Sequence, residues 1–158
     1  MKKKIVTDYF SLSKKWPRRV PKIKKITLKT VNYMSQYFNK NYIYNLNLIL
    51  SEQVGIKKLN KKYKNKYKDT DVLTFVTDFR HKDLGNIFYC DIFFSIDTII
   101  RHINEHKINL YDHFNHLLIH SILHINGYDH KNESQFIKMK NIEIKTLKKL
   151  GIKNPYIN

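Results

Sequence analysis

The sequence predicts an α+β fold: a single domain over residues 1–158, with a small mixed β-sheet packed with helices. Segments of alternating apolar residues are interspersed with segments whose apolar residues recur every three or four positions, in the order strand, helix, strand, helix, strand, strand, helices. Residues 112–126 are apolar around most of a helical circumference, and their remaining stripe is histidine. This pattern predicts a buried, histidine-bearing helix near the C-terminal half.

The first half of the chain is expected to alternate strands with helices. Tyr44, Leu46, Leu48 and Leu50 share one face of an alternating segment, which is typical of a strand with one buried side. Pro17 interrupts regular structure before the first helix. The predicted elements are strand 3–10, connector 11–19, helix 22–38, strand 42–50 and helix 52–62.

The second half is expected to begin with two strands, as a hairpin or a loop-connected pair, and to continue with three helices. Ser95 and Asp112 are predicted to cap the first two helices, because short polar side chains accept hydrogen bonds from the first turn. Asn132 is predicted to cap the last helix, with Gln135 in a capping box and Gly151 as its end. The predicted elements are strands 72–76 and 87–94, helix 95–103, helix 112–126 and helix 132–150.

Charge is distributed unevenly along this chain of net charge +17. Residues 1–70 contain nineteen lysines or arginines and three carboxylates, whereas residues 71–158 contain eleven and ten. A basic half beside a nearly neutral one suits a polyanionic partner, although a solvated lysine-rich surface would give the same count. Cys90 is the single cysteine, and the N-terminus lacks the apolar core of a signal peptide. We therefore expect a cytoplasmic protein without disulfides or a membrane-spanning segment.

Three histidines around a glycine contain the most specific chemical information in the sequence. His120 and His124 lie one helical turn apart, Gly127 is suited to end the helix, and His130 follows after the turn. Three imidazoles with an open fourth position are typical of a catalytic zinc site, although single buried histidines are commonly hydrogen-bonded core residues. The spacing equals that of metzincin peptidases, but the residue after the first histidine is Ser121 where those enzymes use a glutamate base. A peptidase is therefore disfavoured.

Glu143 is expected to contact the histidine cluster. It falls in the middle of the apolar stripe of the last helix, and a buried carboxylate needs a partner. A ligating imidazole must donate its second N–H, for which a carboxylate is a usual acceptor. A carboxylate that reaches solvent is the alternative.

Several blocks in order resemble the YbeY endoribonuclease family, whose members are implicated in ribosomal RNA maturation. The histidine motif continues through Tyr128-Asp129-His130, and the resemblance extends over roughly residues 59–156. The other blocks are Leu59-Asn60-x-x-Tyr63, Thr70-Asp71-Val72-Leu73-Thr74-Phe75, Cys90-Asp91-Ile92, Met139-x-x-x-Glu143 and Leu150-Gly151-Ile152-x-x-Pro155-Tyr156.

The resemblance implies one Zn²⁺ per chain on His120, His124 and His130, and cleavage of single-stranded ribosomal RNA at the small subunit. Lys64 stands where the family has arginine after its Leu-Asn-x-x-Tyr block, and we expect it to offset charge on the phosphate during catalysis. The basic loop 57–68, with its interleaved tyrosines, is expected to hold the strand. Asp71 is expected to have a structural role, with orientation of a donor or water as the alternative. A metal-bearing RNA-binding factor with little catalysis is the second interpretation, and a zinc peptidase the third.

Overall fold

Four strands form one mixed sheet in the order β1–β2–β4–β3. The structure, a computed structural model, describes residues 4–16, 21–64 and 70–157, without the side chains of Val54 and Lys64. Strands β1 and β2 are parallel, as are β2 and β4, whereas β3 is antiparallel to β4. The strands are β1 (Ile5–Ser11), β2 (Ile43–Ser51), β3 (Val72–His81) and β4 (Gly85–Ser95). The predicted α+β class with a mixed sheet is therefore confirmed.

Five α-helices accompany the sheet in the described part of the chain. The predicted helix 22–38 is shorter than expected, because its last turn tightens into a 3₁₀ turn at Ser35–Tyr37. None of the helices described is long and apolar enough to span a membrane. The helices are α1 (Ile23–Met34), α2 (Gln53–Lys64), α3 (Ile96–His106), α4 (Leu110–Ile125) and α5 (Glu133–Lys149).

The β3–β4 hairpin confirms the predicted strand pair but extends beyond it. The antiparallel ladder continues from Val72 opposite Phe94 to His81 opposite Gly85. Residues 77–80 of β3 are exposed, so their sequence lacks the alternation that burial would impose. Backbone pairing with β4 forms this end of the strand.

Side-chain caps fix where the later helices begin. Ser95 accepts from the Thr98 N–H, and Asn132 accepts from the Gln135 N–H, as predicted. The predicted cap Asp112 is wrong: α4 begins at Leu110, and the Asn109 side chain accepts from the backbone of Tyr111 and Asp112. Asp112 instead lies in the first turn of α4, where its negative charge interacts favourably with the positive end of the helix dipole.

Helix α4 lies in the core, between the sheet, α1 and α5. Its side chains Phe114, Leu118, Ile119, Ile122 and Leu123 are fully buried. They belong to one apolar cluster with the inward faces of β2 and β4. The polar stripe of α4 is thereby held on a rigid helix and lines a cleft together with β3 and the chain's last residues. Helix α2 packs near β3, β4 and α3.

Candidate metal centre and its cleft

The three predicted histidines come together at the C-terminal end of α4. His120 and His124 lie on successive turns of the helix, which ends at Ile125. The chain then turns at Gly127, whose φ of +87° lies in the left-handed region that glycine adopts readily. The Tyr128 N–H closes the turn on the Leu123 carbonyl at 3.0 Å. This turn directs the following segment back towards the helix, so that His130 joins the other two.

The ring nitrogens of the three histidines converge on one point. One nitrogen from each ring lies within 4.8 Å of the others. The Nε2 atoms of His120 and His124 are 3.0 Å apart. Two nitrogens about 2.0–2.1 Å from a tetrahedral zinc ion are separated by about 3.3 Å, so the donor set fits such an ion after a small adjustment. Two of the rings are half-buried and His130 is exposed, which leaves one side open.

Burial favours the neutral form of His124, which is the form that can bind a metal. It lowers the pKa of His124, and the nearby His120 and His130 lower it further. A neutral imidazole keeps the lone pair that a metal ligand must donate.

Glu143 contacts the cluster as predicted. Its side chain is 1% exposed, and Oε1 accepts a hydrogen bond from Nδ1 of His120 at 2.7 Å. Oε2 lies 2.7 Å from Nε2 of His116 and accepts a further hydrogen bond from the Tyr156 hydroxyl. Burial alone would raise the pKa of this carboxyl, but the hydrogen bonds from its three donors outweigh burial and lower it to about 2. Glu143 is therefore ionised at neutral pH.

This carboxylate selects the tautomer of His120. With the proton held at Nδ1 by Glu143, the lone pair of His120 is at Nε2, the nitrogen that faces His124. Burial and the adjoining carboxylate raise the pKa of Tyr156, so its hydroxyl remains protonated and donates. Sequence reasoning missed Tyr156 as a partner, although the Pro155-Tyr156 tail resembled the family's and could have drawn attention to it.

Two further histidines, His102 and His113, also line the cleft. His113 is buried, and its Nε2 is 2.6 Å from Oδ2 of Asp71. Burial alone would raise the pKa of Asp71, but the hydrogen bond and charge of His113 outweigh it and the pKa lies below its ordinary value. The His102 ring stacks on His113 at 4.4 Å and on His106 at 4.2 Å. The nitrogens of stacked rings lie at the ring edges, so these three rings do not direct them at one point. In this they differ from the cluster of His120, His124 and His130.

The cleft has a volume of about 1080 Å³ and follows the open edge of β3. Within the described ranges, β3 is paired with β4 alone, so its other edge is free to form this wall. Lys131 is the one lysine or arginine in the described lining, with Asp71 and Asp129 as its carboxylates. The residues lining the cleft are Asn60, Thr70–Thr74, Val76, His102, Ile108, His113, His116, Leu117, His120, His124, Asp129–Lys131, Pro155 and Tyr156.

Lys64 is the last residue of α2, and its side chain lies outside the described residues, as do residues 65–69 of the basic loop. Asn60, one turn earlier on α2, is buried and lines the cleft. The backbone of Lys64 is therefore one turn from this wall.

Two residues from the sequence analysis lie apart from the centre. Cys90 is fully buried on β4, and burial raises the pKa of its thiol to about 12. It does not belong to the group of converging histidines. Ser121 is also fully buried, and its hydroxyl has no hydrogen-bond partner among the described residues. It is not part of the cleft lining, so it cannot replace the peptidase base.

The family model and the relatives that match this chain have the same name. The family model described as "Endoribonuclease YbeY" matches residues 11–151. A protein named Endoribonuclease YbeY from Ehrlichia ruminantium (strain Welgevonden) is 39% identical over 150 residues, covering 92% of this chain and 91% of its own length. Its namesake from Francisella tularensis subsp. tularensis (strain SCHU S4 / Schu 4) is 35% identical over 126 residues, covering 75% and 74%. The solution structure of TM1509 from Thermotoga maritima superposes with a TM-score of 0.55 at 20% identity, over 98% of this chain and 99% of that one, and supports the fold.

Proposed function

Because this chain belongs to the endoribonuclease YbeY family, we propose that it is a metal-dependent endoribonuclease acting at the three-histidine centre. The observation that carries this proposal is the convergence of His120, His124 and His130 at the wall of an open cleft. We propose one Zn²⁺ per chain, because three imidazoles without a nearby thiolate are typical of a catalytic zinc site. The functional unit is proposed to be the single domain 1–158.

Each residue of the centre has a distinct task in this mechanism. His120, His124 and His130 hold the cation, and Glu143 keeps the proton of His120 on Nδ1, away from the metal-binding nitrogen. When bound, the cation supplies Lewis acidity and lowers the pKa of a coordinated water to about 7. Lys64 is proposed to offset charge on the phosphate oxygens, which the position of Asn60 on the same helix supports.

The substrate is proposed to be single-stranded ribosomal RNA of the small subunit, processed in the cytoplasm. The basic composition of residues 1–70 and the 59% exposed side chain of Tyr63 support a single strand held by charge and stacking. Tyr63 packs on Phe75 at 5.3 Å between ring centroids, which fixes the direction of its ring.

A metal-bearing RNA-binding factor with little catalysis is the second candidate. Lys64 is the feature that suggests it, because lysine lacks the planar fork with which arginine binds a phosphate through two hydrogen bonds. The family and the relatives named as endoribonucleases do not favour it. A zinc peptidase is not favoured, since the buried Ser121 leaves that reaction without its base.

Cleavage of a structured ribosomal RNA fragment, measured together with zinc content, tests the proposal. We expect zinc-dependent cuts that His124→Ala abolishes and His106→Ala retains, because His106 is an exposed histidine outside the cleft lining. Tight, salt-sensitive binding without cuts would establish the second candidate instead. Hydrolysis of an unstructured peptide would contradict both.

A further inference from the structure

An aromatic and cationic surface adjoins the cleft where the chain's last residues contact α5. It comprises Phe136, Lys140, Tyr156 and Lys131, and is called the α5 platform below. Phe136 is 43% exposed in the first turn of α5. Its ring contacts Tyr156 edge-on at 6.3 Å between centroids, and Tyr156 lines the cleft.

Lysine ammonium groups accompany these rings. The Lys140 Nζ lies 4.8 Å from the centroid of Tyr156 and 5.8 Å from that of Phe136. Phe136 and Lys140 are four residues apart and so share one side of the helix. Lys131 directly follows the expected ligand His130 and lines the cleft, with a side chain 82% exposed. Its ammonium is 3.5 Å from Asp129, a surface pair that contributes little and leaves the lysine available.

The charge of the cleft lining differs from the charge distribution along the chain. The first half of the chain contains most of the positive charge, yet the described cleft lining has Lys131, from the nearly neutral half, as its one lysine or arginine. Among the described lining residues, the ammonium available to a polyanion in the cleft is therefore that of Lys131, in the segment before α5. An exposed ring with flanking lysines is a combination that binds single strands, through stacking and phosphate contacts.

We propose that the α5 platform is a nucleotide subsite, in which a base next to the cleaved phosphate stacks on Phe136 and Lys131 contacts the backbone. This inference rests on the proposed endoribonuclease function. It specifies where the nucleotide next to the cleaved phosphate binds. With Tyr63 near the end of α2, the platform would provide exposed stacking rings on two different helices, α2 and α5.

Binding of a fluorescein-labelled twelve-nucleotide oligouridine with 2′-O-methyl riboses, followed by anisotropy, tests the subsite separately from cleavage. We expect Phe136→Ala to weaken binding about tenfold, the loss of one stacked base. Ile137→Ala is the matched control, because Ile137 is a non-aromatic apolar residue, 47% exposed, at the neighbouring position of α5. We expect it to bind within about twofold of the parent.

Two further variants distinguish stacking and charge from a general effect on folding. Phe136→Trp should restore binding and Phe136→Leu should not, because tryptophan stacks and leucine only occupies the volume. Lys131→Gln should reduce the slope of log K against log salt by about one, whereas Lys145→Gln, an exposed lysine on the far part of α5, should leave it unchanged.

The outcomes separate the subsite from the proposed activity. Equal binding by Phe136→Ala and Ile137→Ala, with RNA still cut, overturns the subsite alone. Phe136-dependent binding without any cleavage supports the subsite and contradicts the nuclease. A parent protein that binds no RNA overturns both.

Discussion

Replacing Glu143 by glutamine tests the centre with a change of one atom. The carboxylate accepts hydrogen bonds from His120, His116 and Tyr156, and it is 1% exposed. In glutamine one oxygen becomes an NH₂ group, which donates and cannot accept. At least one of the three donors then loses its acceptor, or one histidine changes tautomer. A His120 that changes tautomer places its proton on Nε2, where the metal would bind.

The size of the effect follows from this exchange. Loss of a hydrogen-bond partner behind a metal ligand typically costs 10–100-fold in affinity, or about 1.4–2.7 kcal/mol. We therefore expect Glu143→Gln to weaken zinc binding within that range while the metal-free protein stays folded. Glu133→Gln is the control, because Glu133 is an exposed glutamate in the first turn of the same helix.

Competition with a zinc-binding dye at pH 7.5 measures the affinity, and thermal unfolding of the metal-free proteins measures the stability. A Glu143→Gln protein that binds zinc within twofold of the parent would show that the carboxylate does not control the ligand tautomer. An equal loss of affinity in Glu133→Gln would show that the effect is not specific to the cluster.

Three further predictions concern other parts of the molecule. Gly127→Ala should cost about 1 kcal/mol in chemical unfolding, because no atom lies within 4 Å of an added Cβ and the cost is that of its positive φ; an unchanged midpoint would contradict this. Cys90, with its buried thiol of pKa about 12, should react with a thiol reagent at pH 8 only after denaturant is added, and rapid labelling of the native protein would refute its placement. The pKa of Asp71 is lower in the folded protein than in the unfolded chain, so its stabilising contribution is complete above about pH 4 and is lost as the pH falls further. Asp71→Asn should therefore flatten the acid limb of the stability profile, and an unchanged limb would argue against the pair with His113.

Local sequence was sufficient to predict the cluster of three histidines and much of the secondary structure. The spacing of His120 and His124, the turn at Gly127 and the position of Glu143 in an apolar stripe are all properties of one segment or one helix face. The alternation of apolar and polar residues in β2 likewise reflects its one buried face, on which Leu46 and Leu48 are fully buried. Such features leave a periodic pattern because a helix or strand places its residues at fixed intervals.

Features that depend on distant segments could not be predicted in this way. Asp71 meets His113, and Tyr156 meets Glu143, only because the sheet, α4 and the tail are packed together. The helix start was misassigned for a related reason: Asn109 and Asp112 are both good caps, and local preference does not distinguish them. The prediction for Lys64 is untested, because its side chain lies outside the described residues.

The three histidines differ in how firmly the fold holds them. His120 and His124 belong to a buried helix, whereas His130 is exposed and follows a glycine turn. In the proposed metal site, these two histidines thus form a half-site that is in place before a cation binds, and the third ligand comes from a loop. We expect capture in two steps and release that begins when His130 swings away, without unfolding of α4. The lifetime of the bound ion would then be a property of one loop, so zinc could exchange with a chelator far faster than the protein unfolds.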